Sequence, residues 1–215
     1  MSSLIVKAQS GSDIEPVPEG LHPAVCVGIF DVGTIYEERF EKASHKGIIK
    51  WELPRQPLIK VKEKLMPRCL TKVFTLSLHE KSNLRQVLES WRGKRFTEEE
   101  LTGFDLEKVL GKPCQVQVMH DAKKDRTYAG ITNVLPAING DKSLVAATPI
   151  VSFSISDLTE LAFPDDLPEW ICKMAMKSRE WEKLEIKAKG ISRKDIPATA
   201  QPVELPAETD DDVPF

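Results

Sequence analysis

The chain lacks the features that mark membrane, exported or disulfide-linked proteins. Within its 215 residues, no apolar run approaches the roughly 20 residues that a membrane-spanning helix needs. The N-terminal residues do not show the basic start and apolar stretch of a secretory signal. The four cysteines form no CxxC pair. We therefore expect a cytoplasmic protein with reduced thiols and no membrane contact.

Motifs of several enzyme classes are also missing. The sequence contains no phosphate-binding GxxxxGK[ST] loop, no GxSxG nucleophile elbow and no HExxH zinc motif. The histidines and cysteines have no recognised metal-ligand spacing. Carboxylates that could hold two metals for nuclease chemistry sit singly on different segments, namely Asp31, Glu52, Asp121 and Asp125. We therefore predict no catalytic activity, metal site or cofactor.

Charge is nearly balanced in total but uneven along the chain. There are 30 basic and 33 acidic residues, for a net charge of −3. Residues 42–95 nevertheless hold fourteen basic and four acidic residues, a net charge of +10, whereas 204–215 hold five acidic and no basic ones. A clustered basic surface attracts polyanions. The alternative is a lysine-rich sheet face that only meets solvent.

The spacing of apolar residues predicts a mainly β protein. Alternation of apolar and polar residues indicates strands at 24–36, 45–53, 70–79, 114–120, 128–135 and 144–155. Between the third and fourth strands, Leu84, Val87, Leu88 and Trp91 recur at helical spacing. Five strands with a helix after the third is the element order of an OB fold, a five-stranded Greek-key barrel that often binds oligonucleotides.

The remaining segments predict a helix and two irregular ends. Trp170, Met174, Lys177, Trp181 and Leu184 recur at helical spacing, which predicts one C-terminal amphipathic helix. We expect a flexible leader at 1–20, the barrel domain at 21–163, this helix at 164–189 and a disordered, proline-rich tail at 190–215.

The last six residues form a distinctive acidic tip. They are Asp210, Asp211, Asp212, Val213, Pro214 and Phe215. Such a tip can place a ring in an apolar pocket, offer a carboxylate to a basic side chain and steer toward a basic rim. It therefore predicts a peptide that docks on partner proteins.

This tip resembles the acidic tip of bacterial single-stranded DNA-binding proteins. The stretch 78–114 is similar to the OB-fold single-stranded DNA-binding proteins of phages and prophages. The resemblance, which covers roughly 20–175, implies a barrel that coats single-stranded DNA during replication or recombination. It also implies a tail that recruits host or phage replication and repair proteins. We expect a homo-oligomer, but the long leader and the helix after the barrel depart from cellular relatives, so a tetramer is not implied.

Sequence-tolerant binding of single strands needs cations along the phosphates and rings on which bases stack. The candidate cations are Lys46, Lys50, Arg55, Lys72, Arg92, Lys94 and Arg95. The candidate rings are Tyr36, Phe40, Trp51, Phe74, Trp91 and Tyr128. Phe74 and Trp91 fit a core role equally well, because each lies among apolar neighbours. The turn at 91–95 is favoured as a phosphate contact, and Lys60, Lys62 and Lys64 alternate along a segment able to close over the strand.

Two other classes of function stay open at this point. One is a metal-dependent nuclease or strand-processing enzyme of a phage replication module. The other is an interaction adaptor that carries the acidic tip without binding DNA.

Overall fold

The computed structural model describes residues 15–61, 63–123 and 126–190. Its strands, numbered in chain order, are β1 (Gly20–Glu37), β2 (Lys42–Glu52), β3 (Ile59–Val61), β4 (Lys64–Met66), β5 (Cys69–Thr75), β6 (Pro113–Lys123), β7 (Arg126–Pro136) and β8 (Val151–Ser154). The helices are α1 (Asn83–Arg92), α2 (Glu98–Thr102), α3 (Glu169–Ala175) and α4 (Arg179–Ala188). The mainly β character expected from the sequence is confirmed.

Six of the strands form one sheet with the path β5-β2-β1-β6-β7. All neighbours on this path are antiparallel, and β8 joins β1 in parallel over Gly28–Asp31. A hydrogen bond joins the two end strands of this path, because Lys72 Nζ on β5 donates to the Thr132 carbonyl oxygen on β7 at 3.4 Å. The strand ladders of the described residues do not close into a barrel.

The long strand β1 serves two parts of the sheet. Its first residues pair with β6, while β2 runs along its other edge from Val25 to Glu37. Register shifts between Cys26 and Gly28 and between Asp31 and Gly33 mark bulges, which bend a strand and increase its twist. The β1–β2 hairpin therefore extends as an arm beyond β6, and β8 occupies the edge that β6 leaves.

Two apolar clusters lie on opposite faces of this sheet, as the two-residue period of a strand requires. The first contains Ile49, Trp51 and Phe74 and is covered by Leu88 and Trp91 of α1. The second lies on the other face of β1 and β2. It contains Phe30, Val32, Ile48, Phe153, Ile155, Ile171 and Trp181. We call residues 151–188, which cover this second face, the C-terminal layer.

The prediction of one continuous C-terminal helix is wrong. The helix breaks between α3 and α4, where Ser178 makes a β-bridge with Ile35 and accepts the Trp181 amide as the N-cap of α4. Trp170 of α3 is exposed, whereas Trp181 of α4 is buried. The extended segment predicted at 144–155 is a strand only at Val151–Ser154.

The end of the predicted leader belongs to the folded part. Val17 is buried, its carbonyl oxygen lies 2.8 Å from His120 Nε2, and Arg68 donates to the Glu15 carbonyl oxygen. The rest of the leader, residues 1–14, and the predicted disordered tail from 191 onward lie outside the described residues.

Candidate nucleic-acid interface

Residues 42–95, the segment with a net charge of +10, contribute an open sheet surface. We call this surface the outer β2–β5 face. Its β2 side carries Lys46 and Lys50, and its β5 side carries Thr71, Val73 and Thr75, which pair with β2 residues in register. Thr71, Val73 and Thr75 are exposed. Because side chains alternate along a strand, the apolar partners Ile49, Trp51 and Phe74 point the other way. This face combines cations, hydroxyls and one apolar side chain in the open.

Lys46 is the more constrained of the two lysines. Its Nζ lies 2.7 Å from Glu37 Oε2, with a side chain only 13% exposed, and it also donates to Thr75 Oγ1 at 3.2 Å. The hydrogen bond from Lys46 lowers the pKa of the Glu37 carboxyl. A phosphate would have to compete with Glu37 for this ammonium. Lys46 is therefore the weaker candidate of the pair.

Between Lys46 and Lys50 the outer face is covered. Ile48 shares the side of these lysines but is fully buried in the second cluster, against the C-terminal layer. By strand alternation Ile48 would share an open basic side with the two lysines, but residues from the distant segment 151–188 pack on it. The open part of the face is consequently shifted toward β5.

Three predicted stacking rings are core residues. Trp51, Phe74 and Trp91 are 0%, 3% and 5% exposed. The Trp51 ring centroid lies 6.4 Å from Phe74 and 6.0 Å from Trp91, and Trp91 Nε1 donates to the Pro113 carbonyl oxygen. Their expected role in base stacking is corrected, because a ring sealed into the first cluster offers no face to a base.

Arg92 is also a structural residue. Its guanidinium pairs with Glu100 and stacks over Phe96 and Phe104, at 4.4 and 5.1 Å from the ring centroids. The Thr97–Glu100 capping box fixes Glu100 at the start of α2, so the acid is held in place for this pair. With its side chain only 14% exposed, Arg92 holds the α1–α2 connection together rather than meeting phosphate.

The other two cations of the 91–95 turn are exposed but lie elsewhere. Lys94 and Arg95 are exposed after Gly93, whose left-handed φ of 66° ends α1. A side chain at Gly93 would meet Pro136, at the end of β7. The structure therefore does not bring Lys94 and Arg95 onto the outer β2–β5 face.

Arg55 and Lys72 have protein partners as well. Arg55 pairs with Asp141, whose side chain is 1% exposed, so this ion pair anchors the loop after β7. Lys72 lies over the Phe74 ring at 5.5 Å and reaches across to β7. Burial lowers the pKa of Lys72. Both residues make contacts within the fold, and the Arg55 side chain remains 58% exposed.

The β3–β4 ribbon is a two-stranded sheet of its own. It carries Lys60, paired with Glu63 at 2.9 Å, and the exposed Lys64, Leu65 and Met66. Large exposed apolar side chains beside cations are typical of an interaction element. Lys62 lies outside the described residues.

The exposed rings lie near the ends of two hairpins. Tyr36 and Phe40, at the β1–β2 turn, are 53% and 65% exposed, and Tyr128 of β7 is 50% exposed. Tyr36 pairs with Ala43, so it points away from the side of Ser44 and Lys46. These rings remain accessible for stacking.

Sequence reasoning missed the β5 side chains of the face. Thr71, Val73 and Thr75 alternate with Leu70, Lys72 and Phe74, so the signal was the same period-two pattern read on its other side. These three side chains carry neither a charge nor a ring, so composition alone does not single them out.

A cleft of about 220 Å³ is lined by residues of both clusters. Its walls include Ile29, Ile49 and Leu76, and its polar groups include Asp105 and Glu107. Both carboxylates are exposed. Negative charge at the mouth disfavours phosphate. This cleft is therefore not part of the candidate nucleic-acid interface.

Three further observations bear on the class of protein. Within the described residues, no set of three metal-ligating side chains could hold an ion. None of the helices in that part of the chain has the length and apolar character to cross a membrane. Comparisons with protein-family models and with curated proteins found no match. The acidic tip, Asp210 to Phe215, lies outside the described residues.

Proposed function

We propose that the protein binds single-stranded DNA without strong sequence preference through the outer β2–β5 face. The observation that supports this most directly is the strand order. With β5 as third strand and β6 and β7 as fourth and fifth, the path β5-β2-β1-β6-β7 is the order of an OB fold, and α1 lies between the third and fourth strands. In that fold, strands two and three bind oligonucleotides.

The chemistry of the face supports the same ligand. Lys50 and the β5 hydroxyls offer phosphate contacts, and the β3–β4 ribbon with its lysines lies within the connection from β2 to β5. The exposed Tyr36, Phe40 and Tyr128 supply rings for bases at the ends of the hairpins. The acidic tip then recruits replication or repair proteins in the bacterial cytoplasm.

Titration of the full-length protein with oligo-dT at two salt concentrations tests this proposal. We expect tight binding that weakens as salt rises, because each neutralised phosphate releases counterions. A variant lacking residues 210–215 should bind DNA as well as or better than the full chain. An absence of oligo-dT binding at low salt would contradict the proposal and favour an adaptor.

The enzymatic alternative has its own readout. Labelled single strands incubated with magnesium or manganese should remain intact over the time of the titration. Cleavage that scales with protein concentration would favour a metal-dependent nuclease instead.

A further inference from the structure

A polar network joins the β1–β2 arm to the C-terminal layer. His45 Nε2 lies 2.7 Å from Asp31 Oδ1, and Ser154 Oγ donates to Asp31 Oδ2 at 3.1 Å. Thr34 donates to Glu180 twice, from its amide at 2.7 Å and from its hydroxyl at 2.9 Å. The Thr34 hydroxyl oxygen lies 3.4 Å from His45 Nδ1 and so links the two carboxylates through His45.

The backbone is shaped to admit this network. Gly33 has a φ of 82°, and a Cβ there would lie 2.5 Å from Glu180 Oε2 and 2.8 Å from Ser178 Cβ. Glu180 can reach the Thr34 amide because Gly33 has no side chain. Two strands of the arm, β8 and the first turn of α4 meet at this point.

His45 is the one titratable cation among the groups that join in this network. Its charged neighbours are Asp31 on β1 and Glu180 on α4. The other elements nearby contribute uncharged groups. These are Ser154 of β8, which donates to Asp31, and Leu76 after β5, whose amide donates to the His45 carbonyl oxygen. The neighbouring Lys46 is paired with Glu37. When His45 is protonated it lies between two carboxylates and attracts both, and when it is neutral this attraction is lost.

We propose that His45 is a pH-responsive clamp that holds the C-terminal layer on the β1–β2 arm. The proposal is independent of DNA binding, since the network can be followed without a ligand. It assigns a regulatory role to a contact that otherwise only joins two parts of the fold.

The pH range follows from the directions of the pKa values. The hydrogen bond to Asp31 raises the pKa of His45 above its ordinary 6.5. For Asp31 and Glu180, burial favours the neutral form, but hydrogen bonds to the carboxylates outweigh it and lower the pKa values below 3.8 and 4.5. Between pH 4.5 and pH 6.5, His45 is therefore protonated and both carboxylates are ionised, so that all the contacts of the clamp are present. It is lost as pH rises through the pKa of folded His45, or as pH falls through those of the folded carboxylates.

The tryptophans provide a test with internal controls. In full-length protein labelled with ¹⁵N-tryptophan, the indole signal of Trp181 reports on the C-terminal layer, whereas Trp51 and Trp91 report on the first cluster. We expect the Trp181 signal to shift with the same midpoint as the His45 ring between about pH 5.5 and about pH 9. Trp51 and Trp91 should stay constant over this range.

Amide exchange measures the size of the effect. After correction for the intrinsic pH dependence of exchange, α4 amides should exchange faster above the midpoint, by about tenfold for each unit by which the folded pKa of His45 exceeds the unfolded one. The His45→Gln variant should lose this transition, and His22→Gln, which removes a histidine hydrogen-bonded to Pro18 and Gln56, should keep it.

Two results would overturn the clamp. One is a Trp181 signal that titrates equally in His45→Gln and in the unmodified protein. The other is an unchanged His45 midpoint in Glu180→Gln, because removal of one negative charge from the network should lower that midpoint. If His45→Gln does not fold, an unchanged His45 midpoint in Glu180→Gln still refutes the proposal.

Discussion

The buried carboxylate of Glu52 accepts a 2.6 Å hydrogen bond from the backbone amide of Thr148 and a 2.9 Å bond from that of Ala147. Glu52 is at the end of β2 and is 1% exposed. Through this contact and the Arg55–Asp141 pair, the loop between β7 and β8 is fixed to the end of β2. The loop in turn sets where β8 begins its run along β1.

Replacing Glu52 by Ala is expected to destabilise the protein by about 1 to 3 kcal/mol, because the backbone amides of Ala147 and Thr148 lose their carboxylate acceptor. Urea unfolding measures the loss. Glu160→Gln, at an exposed loop position, should change the unfolding free energy by less than about 0.5 kcal/mol. Equal stability of Glu52→Ala and the parent protein would show that the loop does not depend on Glu52.

Gly33→Ala is expected to cost about 1 to 3 kcal/mol, since the residue would be held at a φ of 82° with its Cβ against Glu180 and Ser178. The same change at Gly140, where a Cβ would meet nothing within 4 Å, is the matched control. Thermal unfolding of both variants compares them. If the two substitutions cost the same, the close approach of α4 to β1 has no energetic consequence.

Arg92→Ala should lower stability by about 1 to 3 kcal/mol and leave the salt dependence of DNA binding unchanged, because the guanidinium is engaged with Glu100 and two rings. Lys94→Ala removes a neighbouring charge with a side chain 65% exposed. It should leave stability almost unchanged. A drop in the salt slope for Arg92→Ala at unchanged stability would reassign Arg92 to the interface.

How far the sequence could go is clearest on β2. The period-two pattern correctly separates Ile49 and Trp51 from Lys46, Ile48 and Lys50, because a strand has only two faces. It could not tell that the face of Ile48 is partly covered. That covering depends on β8, which pairs with β1 from more than a hundred residues away, and no local pattern encodes such a pairing.

The same limit applies to the rings and cations. Composition selects aromatic and basic residues in the window, but a ring that stacks on bases and a ring that fills a core have the same local spacing. Trp51 and Phe74 are assigned to the core only by their tertiary contacts, Trp51 with Trp91 of α1 and Phe74 with Trp51. Likewise, the carboxylate that pairs with Arg55, that of Asp141, is on a different segment.

Lys50→Ala should weaken oligo-dT binding uniformly across sequences and reduce the slope of log affinity against log salt by about 1, as expected for one lost phosphate contact. Lys173→Ala on α3 removes an equal charge that is paired with Glu169 and is not on β2 or β5. Titrations at three or more salt concentrations give both slopes. A slope that changes equally in the two variants would mean that only net charge matters.

Ring accessibility leads to the final prediction, which separates stacking from core packing. Tyr128→Ala removes an exposed ring and should weaken oligo-dT binding by about 1 to 3 kcal/mol if bases stack on it, with little change in stability. Phe74→Ala empties a site in the first cluster and should instead cost about 3 to 5 kcal/mol of folding free energy. Paired measurements of unfolding and DNA affinity distinguish these outcomes.

Trp51 and Trp91 are enclosed in the first cluster, so their indole signals should stay unchanged when DNA is added. Large shifts at both indole signals would indicate that the first cluster opens to the ligand.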